Sequence, residues 1–190
     1  MILLICNLTI SMDHSIRPHD LLPHPPCNLS RENMQLLFDT AIKELYFANK
    51  AIGDAFHQVK EFISSPLLEA VLRRHHDLHL HHMSRLEKIF DLQHMAAEAK
   101  ACHSVNAILT QATEYLTLFS NDVRNFEVAL ILTSRKLAHY KIAAYGAAAD
   151  LALGLDHAQA ATLLAIGVQE EEEYLDRELN ALTDQFVTPI

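Results

Sequence analysis

The chain has no tryptophan, four glycines and three cysteines in 190 residues, and its longest apolar run is far too short to span a bilayer. No Gly-rich phosphate loop, nucleophile elbow or Cys/His nucleophile constellation can be found, so no catalytic residue is assigned. Cys6, Cys27 and Cys102 are odd in number and lack metal-type spacing, which suits a reducing compartment. Positive charge is also scarce: 15 Lys and Arg stand against 24 Asp and Glu, for a formal net charge of -9. With no Lys/Arg cluster on any face, a nucleic-acid footprint is excluded. The opening MILLICNLTIS is apolar, but no basic residue precedes Arg17, and a small-residue cleavage site is missing. It reads as a short apolar tag, or as sequence upstream of a start at Met12 or Met34. The expectation is a cytoplasmic protein with no membrane and no nucleic-acid partner.

What is present is helix-forming. Half the residues are hydrophobic, and Ala and Leu are abundant. Prolines gather in HSIRPHDLLPHPPCN, which forbids a helix there, so residues 1–29 are expected to form an irregular arm and residues 30–186 a helical bundle. Apolar residues then recur with a period of 3.6. The spacing predicts helices over about 31–63, 66–90, 98–117, 122–152 and 157–185. Ser65 with Pro66 reads as an N-cap and first helical position, and Asp122 as a second N-cap. Gly154 is expected in a left-handed C-terminal position and Asp156 as the cap of the last helix. Long helices joined by tight turns pack as antiparallel hairpins. The fold class is therefore all-α, a four-helix bundle with an additional short helix on the crossover.

One stretch stands out. Residues 73–83 read RRHHDLHLHHM, with five histidines. On a helical wheel His75, His79 and His82 fall in the centre of the apolar stripe of the second helix. His81 and Asp77 fall opposite, and His76 is lateral. The other long helices repeat the oddity: Asn49 is centred on the apolar face of the first, Lys141 lies in the stripe of the fourth, and Glu171 and Glu172 edge the stripe of the fifth. Unpaired buried charge costs several kcal/mol, so these groups must meet one another or a ligand. A polar layer across the middle of the bundle follows, with Lys141 paired to Glu171 or Glu172. The histidines read either as a hydrogen-bonded layer of neutral rings or as a transition-metal site, since i, i+3 and i, i+4 histidines chelate one ion. All three do not share one ion easily, because His75 and His82 lie about 10 Å apart along the axis. The acidic run QEEEEYLD, taken whole, is mainly a solvated face.

ELYFANKAI (44–52), SRLEKIF (84–90), KLAHYKIAAYG (136–146) and LGLD (153–156) followed by QEEEEYLD resemble the YciE/YciF family of ferritin-like bacterial stress proteins, often labelled ferroxidase-like. The resemblance covers residues 33–183. It implies a ferritin-like bundle, a homodimer, and a carboxylate-rich centre for two metal ions. The family's AEK on the first helix reads Ala48-Asn49-Lys50 here, and its EHYE on the fourth reads Ala138-His139-Tyr140-Lys141. Gln111 stands where the family carries Glu, while His82 still matches a family His or Gln. The leading expectation is thus a stress-associated protein whose di-iron centre has decayed, with a structural or binding role. The rivals are a ferroxidase-like di-metal enzyme with a rearranged site, or a histidine-based binder of divalent metal. The metal candidates are His75, His79, His82, Glu171 and Glu172, and the cofactor would be iron or another divalent transition metal.

Overall fold

The computed structural model describes residues 30–187. The arm expected over 1–29 lies outside them. The first helix, α1, spans Arg31–Val59 and buries Phe38, Ile42, Leu45, Asn49 and Ile52, one residue per turn. A tighter turn at Lys60–Phe62 closes it. Pro66 then enforces the break: Ser65 is extended, its hydroxyl accepts from the Leu68 amide at 3.3 Å, and Pro66 opens α2, Pro66–Leu92. Helix α3 spans His103–Leu118, α4 Val123–Gly154 and α5 Ala158–Tyr174; a wide π turn at Leu175–Leu179 leads into α6, Asn180–Val187. No strand occurs among the described residues.

The core fixes the topology. At one end the start of α1 (Phe38, Ile42) meets the end of α2 (Leu86, Phe90), the end of α4 (Ala148, Ala152) and the start of α5 (Leu164). At the other end Leu68 and Val71 of α2 meet Phe126, Leu130 and Ile131 of α4, with Leu175, Leu179 and Leu182 beyond α5. Ends and starts alternate, so both hairpins are antiparallel, as expected for a ferritin-like bundle. A third, smaller cluster lies where Val105 of α3 covers Ile52 and Leu137. No described helix is long and apolar enough to cross a membrane.

Three expectations about element ends are corrected. Helix α3 begins at His103, five residues late, because the connection runs along α1: the Lys100 amide donates to the Lys43 carbonyl at 3.1 Å, and Lys43 pairs with Glu98 at 2.5 Å. Gly154 stays helical, and the left-handed residue is Asp156, with φ 64°. Aspartate tolerates that region, and Arg31 anchors the turn through the Asp156 carboxylate at 3.2 Å and the Leu155 carbonyl at 2.6 Å. Position 157, not 156, precedes α5 as its cap. The Asp122 cap is present, its carboxylate accepting from the Asn125 amide at 3.1 Å.

Glu127 on α4 is buried where the periodicity gave no reason to notice it. Its Oε1 accepts from the amides of Ser64 at 2.8 Å and Ser65 at 2.6 Å, joining the α1–α2 turn to the second hairpin. Those amides point at the start of α2, where negative charge is favoured. Glu127→Ala is expected to cost about 2 kcal/mol in urea unfolding, and Glu127→Gln about half as much, since the amide oxygen still accepts. A loss below about 0.5 kcal/mol for the alanine variant would mean that water replaces the carboxylate at no cost.

Candidate functional site: a buried ionic layer

Between the two apolar ends each core helix turns polar. Asn49 follows Leu45 on α1; His75, His79 and His82 fill the stripe between Leu72 and Leu86 on α2; Lys141 follows Ala138 on α4; Glu171 follows Leu164 and Gly167 on α5. All six are buried, and Asn49, Lys141 and Glu171 are fully so.

Lys141 is the hub. Its ammonium lies 2.5 Å from Glu171 Oε1, 2.7 Å from His79 Nδ1 and 3.0 Å from His82 Nδ1. Two of its N–H bonds are accepted by the two ring nitrogens. The approach to Glu171 is an ionic contact off the angle of a directed hydrogen bond. Accepting from Lys141 fixes the tautomers: His79 and His82 carry their proton on Nε2. His82 Nε2 donates to Glu170 at 2.9 Å, and His75 Nε2 donates to Glu171 Oε2 at 3.0 Å. Arg85, one turn beyond His82, holds Glu170 through both carboxylate oxygens, the second at 2.6 Å.

The tyrosines close the layer. The Tyr174 ring stacks on His75, centroids 3.8 Å apart, and its hydroxyl is buried without a hydrogen-bond partner among the described residues. Asn49 Nδ2 donates to the Leu45 carbonyl at 2.8 Å and the Tyr145 hydroxyl at 2.9 Å. Gly167 makes room for that tyrosine: a Cβ there would come within 2.9 Å of the Tyr145 ring, so this position excludes a side chain.

The charges follow from burial and pairing. Burial alone would raise the Glu171 carboxyl, but Lys141 and His75 hold it down to about 2. Burial lowers the Lys141 ammonium, and Glu171 opposes this. Burial pushes His82 down to about 3, with Lys141 adding to the effect; His79 falls well below its ordinary value for the same two reasons, and burial lowers His75. The layer is therefore one cation, one anion and three neutral rings, with the Arg85–Glu170 pair at its rim.

Of the residues singled out from sequence, His75, His79, His82 and Glu171 converge, together with Lys141 and Asn49. Glu172 is exposed and stands apart from them; the second acid of the site is Glu170. The reason is the π turn. The apolar stripe drawn through Val168, Leu175, Leu179 and Leu182 crosses Leu175–Leu179, where the wide turn shifts the helix face. Upstream of it the buried face runs through Ala160, Leu164, Gly167, Glu171 and Tyr174, which centres Glu171 and turns Glu172 outward. Arg85 carried one signal, its place one turn from His82. Gln111 accepts from Lys136 on the exposed flank, and Glu44 pairs with Lys100 at 3.5 Å, so neither reaches the layer.

The donor set does not fit a pair of iron ions. Such a centre needs about four carboxylates. The layer supplies Glu171 and, at the rim, Glu170, which Arg85 already holds; an ammonium stands among the ligand atoms. One smaller group has metal-like spacing: single ligand atoms of His75, His79 and Glu171 lie within 4.8 Å of one another.

Residues 33–188 match the profile of the family described as a domain of unknown function, DUF892. The chain is 24% identical over 146 residues to Protein YciF of Escherichia coli (strain K12), covering 76% of this chain and 87% of that protein. The crystal structure of the E. coli stress protein YciF superposes with a TM-score of 0.74 at 23% identity, covering 81% of this chain and 96% of that one. YcfI from Rhodopseudomonas palustris superposes with a TM-score of 0.73 at 20% identity, covering 83% and 97%. At these identities the two structures establish the ferritin-like fold.

The neutral histidines make stability pH-dependent. Unfolded, each takes a proton below its ordinary pKa of 6.5; folded, His82 resists until about 3. Between those values the unfolded chain holds more protons, so stability is complete above pH 6.5 and falls as the pH drops. Each such ring contributes up to about 1.4 kcal/mol per pH unit. Glu171 adds its loss from 4.5 down to about 2. Urea midpoints measured from pH 8 to 4 should begin to fall near 6.5. A curve flat down to 4.5 would show that the folded histidines are protonated.

Proposed function

The chain belongs to the DUF892 family, to which the YciE/YciF resemblance pointed, and on that premise we propose that the centre of its bundle works without a metal pair. In this reading it is a YciF-type protein whose dinuclear centre has decayed into an internal ion pair, with a structural or binding role in a stress response. The observation that carries it is the fully buried Lys141 ammonium, with Glu171, His79 and His82 at 2.5, 2.7 and 3.0 Å. Ligand-type atoms that would face a cation face the cation of a side chain instead. The stress role rests on the relative in E. coli, which carries that description. The homodimer rests on the family resemblance, and the cytoplasmic location on the cysteine usage.

A second reading has one observation in its favour. The spacing of His75, His79 and Glu171 suits a single divalent transition-metal ion, zinc above all, if Lys141 withdraws or gives up its proton. The ferroxidase reading would need carboxylates beyond Glu170 and Glu171.

Untagged protein, loaded anaerobically with Fe(II) or Zn(II) and desalted, separates the readings by elemental analysis and oxygen uptake. No stoichiometric metal and no oxygen consumption are expected. Lys141→Glu, which exchanges the cation for a carboxylate, should gain a melting temperature that rises with added metal, as binding to the folded state requires. Two irons per chain with oxygen uptake in the unsubstituted protein would overturn the proposal. One zinc per chain, lost in His79→Ala, would establish the second reading.

A further inference from the structure

A cavity of about 280 Å³ lies against the ionic layer, between α1, α2, α3 and α4. It exists because α3 fully buries only Val105 and because small side chains, Ala51 and Ala55 on α1 and Ala112 on α3, form facing walls. Its volume is roughly twice that of an apolar cavity that takes up benzene. Exposed Gln58 and Thr113 stand on its lining, where α1 and α3 part.

Its chemistry is uneven in an informative way. Ile52, Leu109 and Leu137 give an apolar body, and no Asp, Glu, Lys or Arg lines it. A charged occupant would lose its hydration with no counter-charge in return. One wall carries His75 and His79, rings 4.1 Å apart, and the buried Thr133. His79 gives Nδ1 to Lys141 and His75 gives Nε2 to Glu171. The remaining ring nitrogens, His79 Nε2–H and the His75 Nδ1 lone pair, have no partner among the described residues. Both rings line the cavity. The Thr133 hydroxyl likewise makes no side-chain hydrogen bond among the described residues. One fixed donor beside one fixed acceptor matches a hydroxyl, which accepts from the first and donates to the second.

We propose that this cavity is a binding site for a small, neutral, hydroxyl-bearing cyclic molecule of about two fused rings, its hydroxyl between His75 and His79 and its ring body against Ile52, Leu109 and Leu137. The proposal rests on the metal-free reading above, since a metal held with Glu171 by His75 Nε2 and His79 Nδ1 would leave the His75 proton on Nδ1 and remove the acceptor. A ketone or ether would leave His75 Nδ1 unpaired, and a carboxylate would enter as an unpaired charge. Binding would give the bundle the ligand that a decayed metal centre no longer supplies.

The absence of tryptophan leaves the fluorescence window of naphthalene compounds clear. Chelator-treated full-length protein, its metal content measured on the same sample, is titrated with 2-naphthol, 2-methoxynaphthalene and 2-naphthoate. Saturable binding of one naphthol per chain is expected, about tenfold weaker for the ether, which lacks the donated hydrogen bond, and weaker still for the anion. Ala112→Phe fills the cavity and should abolish binding with an unchanged helical spectrum; Ala55→Leu is the second filler should the first fail to fold. The proposal is overturned by no saturable binding in metal-free protein, by equal binding of the three compounds, or by undiminished binding in a folded filler variant. Stoichiometric metal that survives chelation would instead overturn the metal-free reading.

Discussion

The ion pair between Lys141 and Glu171 is the constraint around which the middle of this bundle is arranged. Taking an ammonium out of water is tolerable only where an opposite charge and hydrogen-bond acceptors replace its hydration, and removing one partner of such a pair costs about 3–5 kcal/mol. The surrounding choices follow from that demand. His79 and His82 must present bare Nδ1 atoms, so both are neutral with their proton on Nε2. His82 then has a proton to donate, and Glu170 receives it. Glu170 is itself held by Arg85 at the edge of the layer. His75 satisfies the second oxygen of Glu171 and is stacked in place by Tyr174. Each residue is explicable only through the next.

Much of this was readable in the sequence because a buried charge is conspicuous. Periods of 3.6 place Asn49, His75, His79, His82, Lys141 and Glu171 on inward faces, and the cost of leaving them unpaired forces them together. The caps at Ser65 and Asp122 are local chemistry and were equally legible. What escaped was whatever depended on an irregularity or on a distant partner. Glu172 was preferred to Glu170 because a straight wheel was carried across a π turn. The late start of α3 depends on a backbone hydrogen bond from Lys100 to Lys43, between residues 57 positions apart. Glu127 is buried for the sake of two amides on another hairpin, and no periodicity announces that.

The layer differs in charge from the centre of a metal-bearing ferritin-like bundle. In such bundles anionic ligands from facing helices surround cations. Here the facing helices still direct polar atoms at a common point, but Asn49 brings an amide and Lys141 brings the positive charge covalently. Fewer anions and one built-in cation leave a layer near neutrality without any ion from solution. The bundle therefore keeps its ferritin-like shape without the four carboxylates that a dinuclear centre demands.

An apolar core would hold the same helices more cheaply, since replacing a buried ion pair with packed hydrophobic residues is often neutral or stabilising. A use that apolar packing cannot serve would account for the ion pair. One use is registration: a layer satisfied only at a single axial alignment of four helices penalises every slipped arrangement, as single buried polar residues do in coiled coils. Registration alone, however, requires every polar atom to face inward upon the layer. His75 and His79 do otherwise. Each gives one nitrogen to the ion pair, which fixes its tautomer, and the other has no partner among the described residues, on a ring that lines the cavity. A donor and an acceptor held in that state, against an uncharged apolar cavity, are pre-organised for recognition. Thus the ion pair that fixes these tautomers also determines which hydrogen bonds the two rings can offer a ligand.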